Sequence, residues 1–315
     1  MLIRVPPGWT IPEHEVTPEH LYRNRRQFLK SAAAGTAALG LGGLSSTLIG
    51  CKKDPPGLAN LPLIAANRNE TYTVERPITD ERIVAGHNNY HEFTVEKEDV
   101  AAMTENFRTR PWQIEISGEA NRLGRIDVDD LIRQMPLEER IYRLRCVDAW
   151  SVVVPWIGFP LAKFVEWAQP RSTAKYLRMT TFWQPGSAPG QKEWASAYFE
   201  VLTIAEATNE MAMLVVGSYG HQLPNQNGAP IRLIVPWKYG LKSIKAIVRF
   251  QFASQPSNSF WSQALPSEYD FYCNVDPSKP HPRWSQETEI DVATGDRIPT
   301  RLYNGYEQYV AHMYT

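Results

Sequence analysis

The 315-residue chain has no Gly-x-Gly-x-x-Gly after a strand pattern, no Gly-x-x-x-x-Gly-Lys-Ser/Thr, no Cys-x-x-Cys-His and no His-Glu-x-x-His. Each of these spacings serves one chemistry, so their absence removes support from nicotinamide, nucleoside-triphosphate, covalent haem and zincin functions. A cofactor, if there is one, must be held in another way. Excess charge is lacking too: the formal net charge is −1, so neither nucleic acid nor an anionic surface is an evident partner of the body. No internal repeat is visible. Cysteine is scarce, with three residues: Cys51, Cys146 and Cys273. In an oxidising compartment the last two read most simply as a disulfide.

Charge is also missing from a stretch near the amino terminus. Arg23-Asn24-Arg25-Arg26-Gln27-Phe28-Leu29-Lys30 is followed by twenty uncharged residues, 31–50, rich in Ala and Gly, and then by Cys51. A basic region before an apolar one is the design of a secretory signal and is set aside before fold reasoning. Arg25-Arg26-x-Phe28-Leu29-Lys30 resembles the twin-arginine export consensus. That route moves proteins already folded, which suits a chain that acquires a complex cofactor in the cytoplasm. The competing reading is an uncleaved anchor, because about 20 apolar residues can span a bilayer. Leu48-Ile49-Gly50-Cys51 looks like a lipobox, which would make Cys51 a lipidated first residue held at a membrane surface. An ordinary cysteine near a cleavage site is the alternative.

Three segments follow: an export signal over 1–51, a polar tether over 52–82, and a folded domain over 83–315 with loops and a tail packed over the core after about residue 254. With 43% hydrophobic residues there is enough to build a core. "WQIEISGEA" alternates Trp112, Ile114 and Ile116 against polar neighbours, the mark of a half-buried strand. Asp127 is placed to cap a short helix that ends before Pro136. "ERIYRLRCVDAW" alternates again, with Tyr142, Leu144 and Cys146 on one face and Arg143 and Arg145 on the other. "PLAKFVEWAQP" reads as a helix, and "KYLRMTTFW", "AMLVVGSY", "IRLIVP" and "SIKAIVRFQF" as strands. Irregular alternation of strands and short helices predicts an α+β domain with mixed sheets. Trp150, Trp156 and Trp237 are expected in the core, and His221 on a solvent-facing loop.

Cys146 ends a predicted strand, and a thiolate is a soft, strongly donating ligand for transition metals. A lone cysteine is more often a buried structural residue. Its surroundings are more specific. "RLRCVDAWSVVVPWIGFPL" resembles the molybdenum-binding segment of the sulfite oxidase superfamily, and specifically of the periplasmic methionine-sulfoxide reductase P family, its molybdopterin-containing catalytic subunit. "HNNYHEF" resembles that family's pterin-contacting segment, although His87 and His91 stand where aromatic residues, often Tyr, are expected. "RMTTFW" and "NQNGAPIRLIVPWKYGLKSIKAIV" follow in the family's order.

The resemblance implies a sulfite-oxidase-like molybdopterin-binding domain with one molybdenum-molybdopterin per chain. It implies Cys146 as the metal ligand and catalytic centre, and Asn88, His91, Glu92, Thr181, Asn227 and Arg232 as cofactor contacts, with Thr180 the neighbouring alternative to Thr181. Ser243, Ile244 and Lys245 match the stretch that holds the phosphate end. Amide edges for a heterocycle and cations for a phosphate are the residue types such a group needs. The implied activity is reduction of methionine sulfoxide in exported, periplasmic proteins by oxygen-atom transfer. Twin-arginine machinery would export the chain, oxidised periplasmic proteins would be substrates, and a haem-containing membrane subunit would donate electrons. Reduction of small sulfoxides and N-oxides, or oxidation of sulfite, is the alternative on the same cofactor. A metal-free exported binding lipoprotein is the alternative of another class.

Overall fold

The computed structural model describes Pro55, Gly57, Leu58 and residues 60–315. Expectations for the export segment, its competing anchor reading and Cys51 fall outside the described residues.

The chain enters through a two-residue strand, β1 (Asn67–Arg68), then α1 (Glu81–Gly86) and α2 (Val100–Thr104). Asp80 caps α1 by accepting from the Arg82 amide, satisfying one of the free N–H groups at the helix start. Strands β2 (Gln113–Gly118) and β3 (Gly124–Asp127) follow, and Asp127 caps α3 (Val128–Ile132) as its position before an apolar run predicts. β4 (Glu138–Cys146) pairs antiparallel along its whole length with β5 (Trp150–Pro160), and Pro160 then opens α4 (Leu161–Ala168). Next come β6 (Tyr176–Thr181), β7 (Phe199–Thr203), α5 (Ile204–Thr208), β8 (Met213–Ser218), β9 (His221–Gln222) and β10 (Arg232–Ile234). The last stretch holds β11 (Ile247–Ala253), α6 (Phe260–Ala264), β12 (Thr288–Asp291), β13 (Arg297–Pro299) and α7 (Glu307–Val310).

Among the described residues these strands form two mixed sheets. One runs β3-β2-β11-β6-β7, parallel only between β2 and β11. The other runs β1-β4-β5-β12-β13, with β8 also paired to β5 and carrying β9 and β10. The strand "SVVVPWIGF" inside β5 is buried on both faces, which is why it shows no alternation and no polar face. Trp156, Phe159, Phe164, Phe250 and Trp237 lie in the shared core.

Two expectations need correction. The described part of the expected tether is packed on the body. Asn67 and Arg68 pair with Glu138 and Glu139, and Tyr72 is buried edge-on against Tyr142 with the Arg140 guanidinium 3.9 Å from its ring centroid. A polar run without a period still docks when one aromatic supplies the apolar area. The expected tail likewise contains β12, which pairs in parallel with the start of β5 and so belongs to the larger sheet.

Candidate active site

The site forms where β4 stops. Alternation along β4 sends Cys146 to one face and Arg145 to the other, and residues 146–149 turn the chain into β5. Ala149 takes a left-handed conformation at φ 62° to make that turn, and its amide donates to the Cys146 carbonyl at 3.1 Å. The Cys146 thiol is 6% exposed and lies in the wall of a cavity of about 440 Å³. Burial, with the Asp148 charge adding to it, pushes this thiol up to about 12. It therefore keeps its proton until a stronger Lewis acid takes the proton's place, as metal coordination does. Cys146 and Cys273 are both free and buried, so the expected disulfide is not formed.

On the inner side of the cavity β10 and the segment after it place two cations. The hydrogen bonds of Arg232 go to backbone carbonyls, from Nη1 to Asn227 at 2.9 Å and from Nη2 to Ser243 at 3.1 Å. Lys245 Nζ donates to the Asn89 carbonyl at 2.6 Å. Burial lowers both, Arg232 to about 10, and the Arg232 charge lowers Lys245 further. Glu92 is buried beside them; burial raises its pKa while Lys245 opposes the rise. Two enclosed cations against one reluctant acid make a region that favours an anion. Gly228 has φ 100°, and a Cβ there would stand 2.7 Å from Lys245 Cγ, so the lysine's position depends on that glycine.

The outer side is built from a loop and from the carboxy-terminal third. Asp148 accepts from Asn89 Nδ2 at 2.9 Å and pairs with Lys97 at 3.2 Å. Burial opposes its ionisation, but these two partners outweigh burial and hold its pKa below the ordinary value. The Asp148 amide lies 3.4 Å from Cys146 Sγ, pointing a donor at the sulfur. Trp150, Trp194, Trp261, Tyr269 and Trp284 supply aromatic wall, and His91 stands edge-on to Trp261 with centroids 5.8 Å apart. In this wall Asn89 Oδ1, Tyr90 OH and Trp150 Nε1 are buried with no hydrogen-bond partner among the described residues.

Of the residues singled out in the sequence, Asn88, His91, Glu92, Cys146, Arg232, Ser243, Ile244 and Lys245 line this cavity. Thr181 and Asn227 stand behind it. Thr181 Oγ1 donates to the carbonyls of Lys245 and Ala246 at 2.8 and 3.1 Å, and Asn227 Oδ1 accepts from Asn88 Nδ2 at 3.5 Å. Trp156 and Trp237 are in the core, but Trp150 is half-buried in the cavity wall, against the expectation. His221 is a half-buried member of β9 in contact with Glu81, not a solvent-facing loop residue. Asn89, Lys97 and Asp148 were missed, although Asp148 is two positions from the singled-out cysteine. Trp261, Tyr269, Arg283 and Trp284 carry no local signal, since only the tertiary fold brings them to the site.

Comparison with known proteins adds three findings. Residues 101–261 match the family described as oxidoreductase molybdopterin-binding domain, and residues 24–42 match the twin-arginine translocation pathway signal sequence. Among solved structures, the chain is similar to the sulfane dehydrogenase SoxCD from Paracoccus pantotrophus, at 14% sequence identity and a TM-score of 0.43. That match covers 84% of this chain and 63% of the other.

Proposed function

We propose a reaction for this chain from one premise: it belongs to the molybdopterin-binding oxidoreductase domain family and carries a twin-arginine export signal. The proposed reaction is reduction of methionine sulfoxide in exported, periplasmic proteins, with one molybdenum cofactor per chain. The observation that carries it is a buried thiol that faces both an anion-favouring region and an aromatic outer wall in a single cavity.

The residues present fit such a cofactor. Cys146 offers the soft ligand, Arg232, Lys245 and the Ser243–Ile244 backbone suit the phosphate end, and the unpartnered Asn89 Oδ1, Tyr90 OH and Trp150 Nε1 suit a heterocycle with donors and acceptors on its edge. Asn88, His91 and Glu92 are the further contacts in this reading. Thr181 and Asn227 brace it from behind by fixing the Lys245 and Ala246 carbonyls and the Asn88 amide. When bound, the molybdenum cofactor supplies oxygen-atom transfer coupled to a two-electron change.

The chain's own residues select the substrate. The thioether sulfur of the product methionine gains about 0.3–1.5 kcal/mol beside an aromatic ring, and the four tryptophans of the wall offer such faces. Cations at the mouth are paired: Lys97 with Asp148, and Arg283 with Glu268 at 2.7 Å. A neutral sulfoxide therefore meets less opposition than a small dianion seeking free positive charge. Val95 and Leu265, 65% and 37% exposed, extend apolar surface outward, where residues flanking an oxidised methionine can lie. Oxidation makes methionine polar and is a repairable lesion, which gives the reaction its use. Electrons would come from a haem-containing membrane subunit, and a lipid on Cys51 would keep the two close.

The test is turnover of the purified exported protein with an artificial electron donor or acceptor on oxidised protein, free methionine sulfoxide, a small N-oxide and sulfite. Methionine sulfoxide in protein is expected to give the highest kcat/KM. Preference for sulfite, or for small N-oxides, would replace this reading with the alternative on the same cofactor, and a protein that holds no metal would leave a binding lipoprotein.

A further inference from the structure

The turn that presents Cys146 is held from behind by side chains remote in sequence. Arg145 is fully buried, and its guanidinium donates from Nε to Glu289 Oε2 at 2.8 Å and from Nη2 to Gln286 Oε1 at 2.7 Å and Thr300 Oγ1 at 3.2 Å. Its Nη1 donates to the carbonyl of Cys146. The next carbonyl, of Val147, accepts from both Gln286 Nε2 and Trp284 Nε1 at 2.9 Å. The Ala149 carbonyl accepts from the Ile290 amide at 2.9 Å. Thus the carbonyls of three residues in a four-residue turn are fixed by the segment 284–300 or by an arginine locked to it.

A left-handed Ala149 costs about 1–2 kcal/mol and persists only where surroundings over-determine it. The peptide planes on either side of Val147 decide where the Asp148 amide points. With those planes fixed, that amide aims at Cys146 Sγ, 3.4 Å away. Hydrogen bonds to a ligating sulfur are among the means by which a protein tunes a metal.

We propose that Arg145 and Gln286 are positioning residues for the metal-ligating thiol, acting through the carbonyls of Cys146 and Val147 to hold the Asp148 N–H on the sulfur. The inference rests on Cys146 being the molybdenum ligand. Arginine is required in this role because one planar fork serves Glu289, Gln286, Thr300 and the Cys146 carbonyl together, which a lysine's single ammonium cannot do. Neither residue lines the cavity.

The test compares wild type, Arg145→Lys, Gln286→Ala and a control, Ile116→Val, in the other sheet. Two readouts are taken: the electron paramagnetic resonance g-values and midpoint potential of the molybdenum in the loaded enzyme, and hydrogen exchange of the 147–149 amides in cofactor-free protein. Loss of the N–H···S bond is expected to shift the g-values and lower the potential by about 59 mV, a tenfold change in a one-electron equilibrium. Exchange at 147–149 is expected to quicken about tenfold, equivalent to about 1.4 kcal/mol, with the control unchanged in both. Unaltered g-values, potential and exchange in folded Arg145→Lys and Gln286→Ala would overturn the proposal. Should Arg145→Lys not fold, Gln286→Ala decides alone, since there Arg145 keeps Glu289, Thr300 and the Cys146 carbonyl. If the wild type gives no molybdenum signal, the functional reading fails, and with it the role toward a metal, while exchange still reports whether these residues hold the turn.

Discussion

Lys245→Met separates a cofactor-binding lysine from an ordinary strand-surface charge. Lys245 is enclosed next to a second cation, and its ammonium donates to the Asn89 carbonyl. In cofactor-free protein the substitution loses that charged hydrogen bond, about 1.5–3 kcal/mol, and removes the burial cost of an ammonium, which is several kcal/mol, so the cost removed is at least as large as the bond lost. Unfolding free energy at pH 7 is therefore expected not to fall. A charge-assisted hydrogen bond to an anion is worth about 1.5–3 kcal/mol, so cofactor retention is expected to fall roughly 10- to 150-fold. Retention is read as molybdenum remaining after dialysis against a series of dilutions, and stability by urea unfolding. The pH dependence has a definite sign. The unfolded chain holds the Lys245 proton up to its ordinary 10.5, whereas the folded chain releases it at lower pH. Across that window the unfolded state binds more protons, so stability of the cofactor-free protein rises with pH, and the Met variant lacks that contribution. Unchanged retention in a folded Lys245→Met protein would refute the assignment.

Three further outcomes follow from the same geometry. With its thiol pushed up to about 12, Cys146 in cofactor-free protein should alkylate tenfold faster per pH unit from 7 to 10, and a plateau near 8.5 in mass-spectrometric labelling would contradict that burial effect. Gly228→Ala should cost about 1–3 kcal/mol in urea unfolding and weaken cofactor retention, because the left-handed backbone and Lys245 both resist a Cβ. Tyr72→Ala should cost about 3–5 kcal/mol, measured in the same way, since this residue of the supposed tether fills the core between Tyr142 and Arg140. A loss below about 1 kcal/mol would return the segment to a tether.

Much of the frame was legible in local pattern. The alternation in "QIEIS" and "YRLRC", the cap at Asp127 and the Pro at the start of α4 each state their element without tertiary context. The strand β5 was not legible because a strand paired on both sides and buried on both faces has no polar period to show. The residues singled out between 88 and 245 fall in short blocks, and eight of them line the cavity, whereas Asn89, Lys97 and Asp148 beside them gave no signal of their own. The outer wall was not readable. Trp261 reaches the site from α6 and Tyr269 and Trp284 from loops, while Arg145 faces away from it; Arg145 and Trp284 are tied to the Cys146 turn by hydrogen bonding to backbone carbonyls, for which any sequence provides acceptors.

The most direct measurement of the central claim is molybdenum content, beside reduction of methionine sulfoxide by an artificial electron donor, for the purified exported protein and its Cys146→Ala variant. The account predicts about one molybdenum per chain in the wild type and loss of activity in the variant. A wild type expressed in cofactor-competent cells that carries no molybdenum, or a variant as active as the wild type, would contradict it and return Cys146 to a structural role.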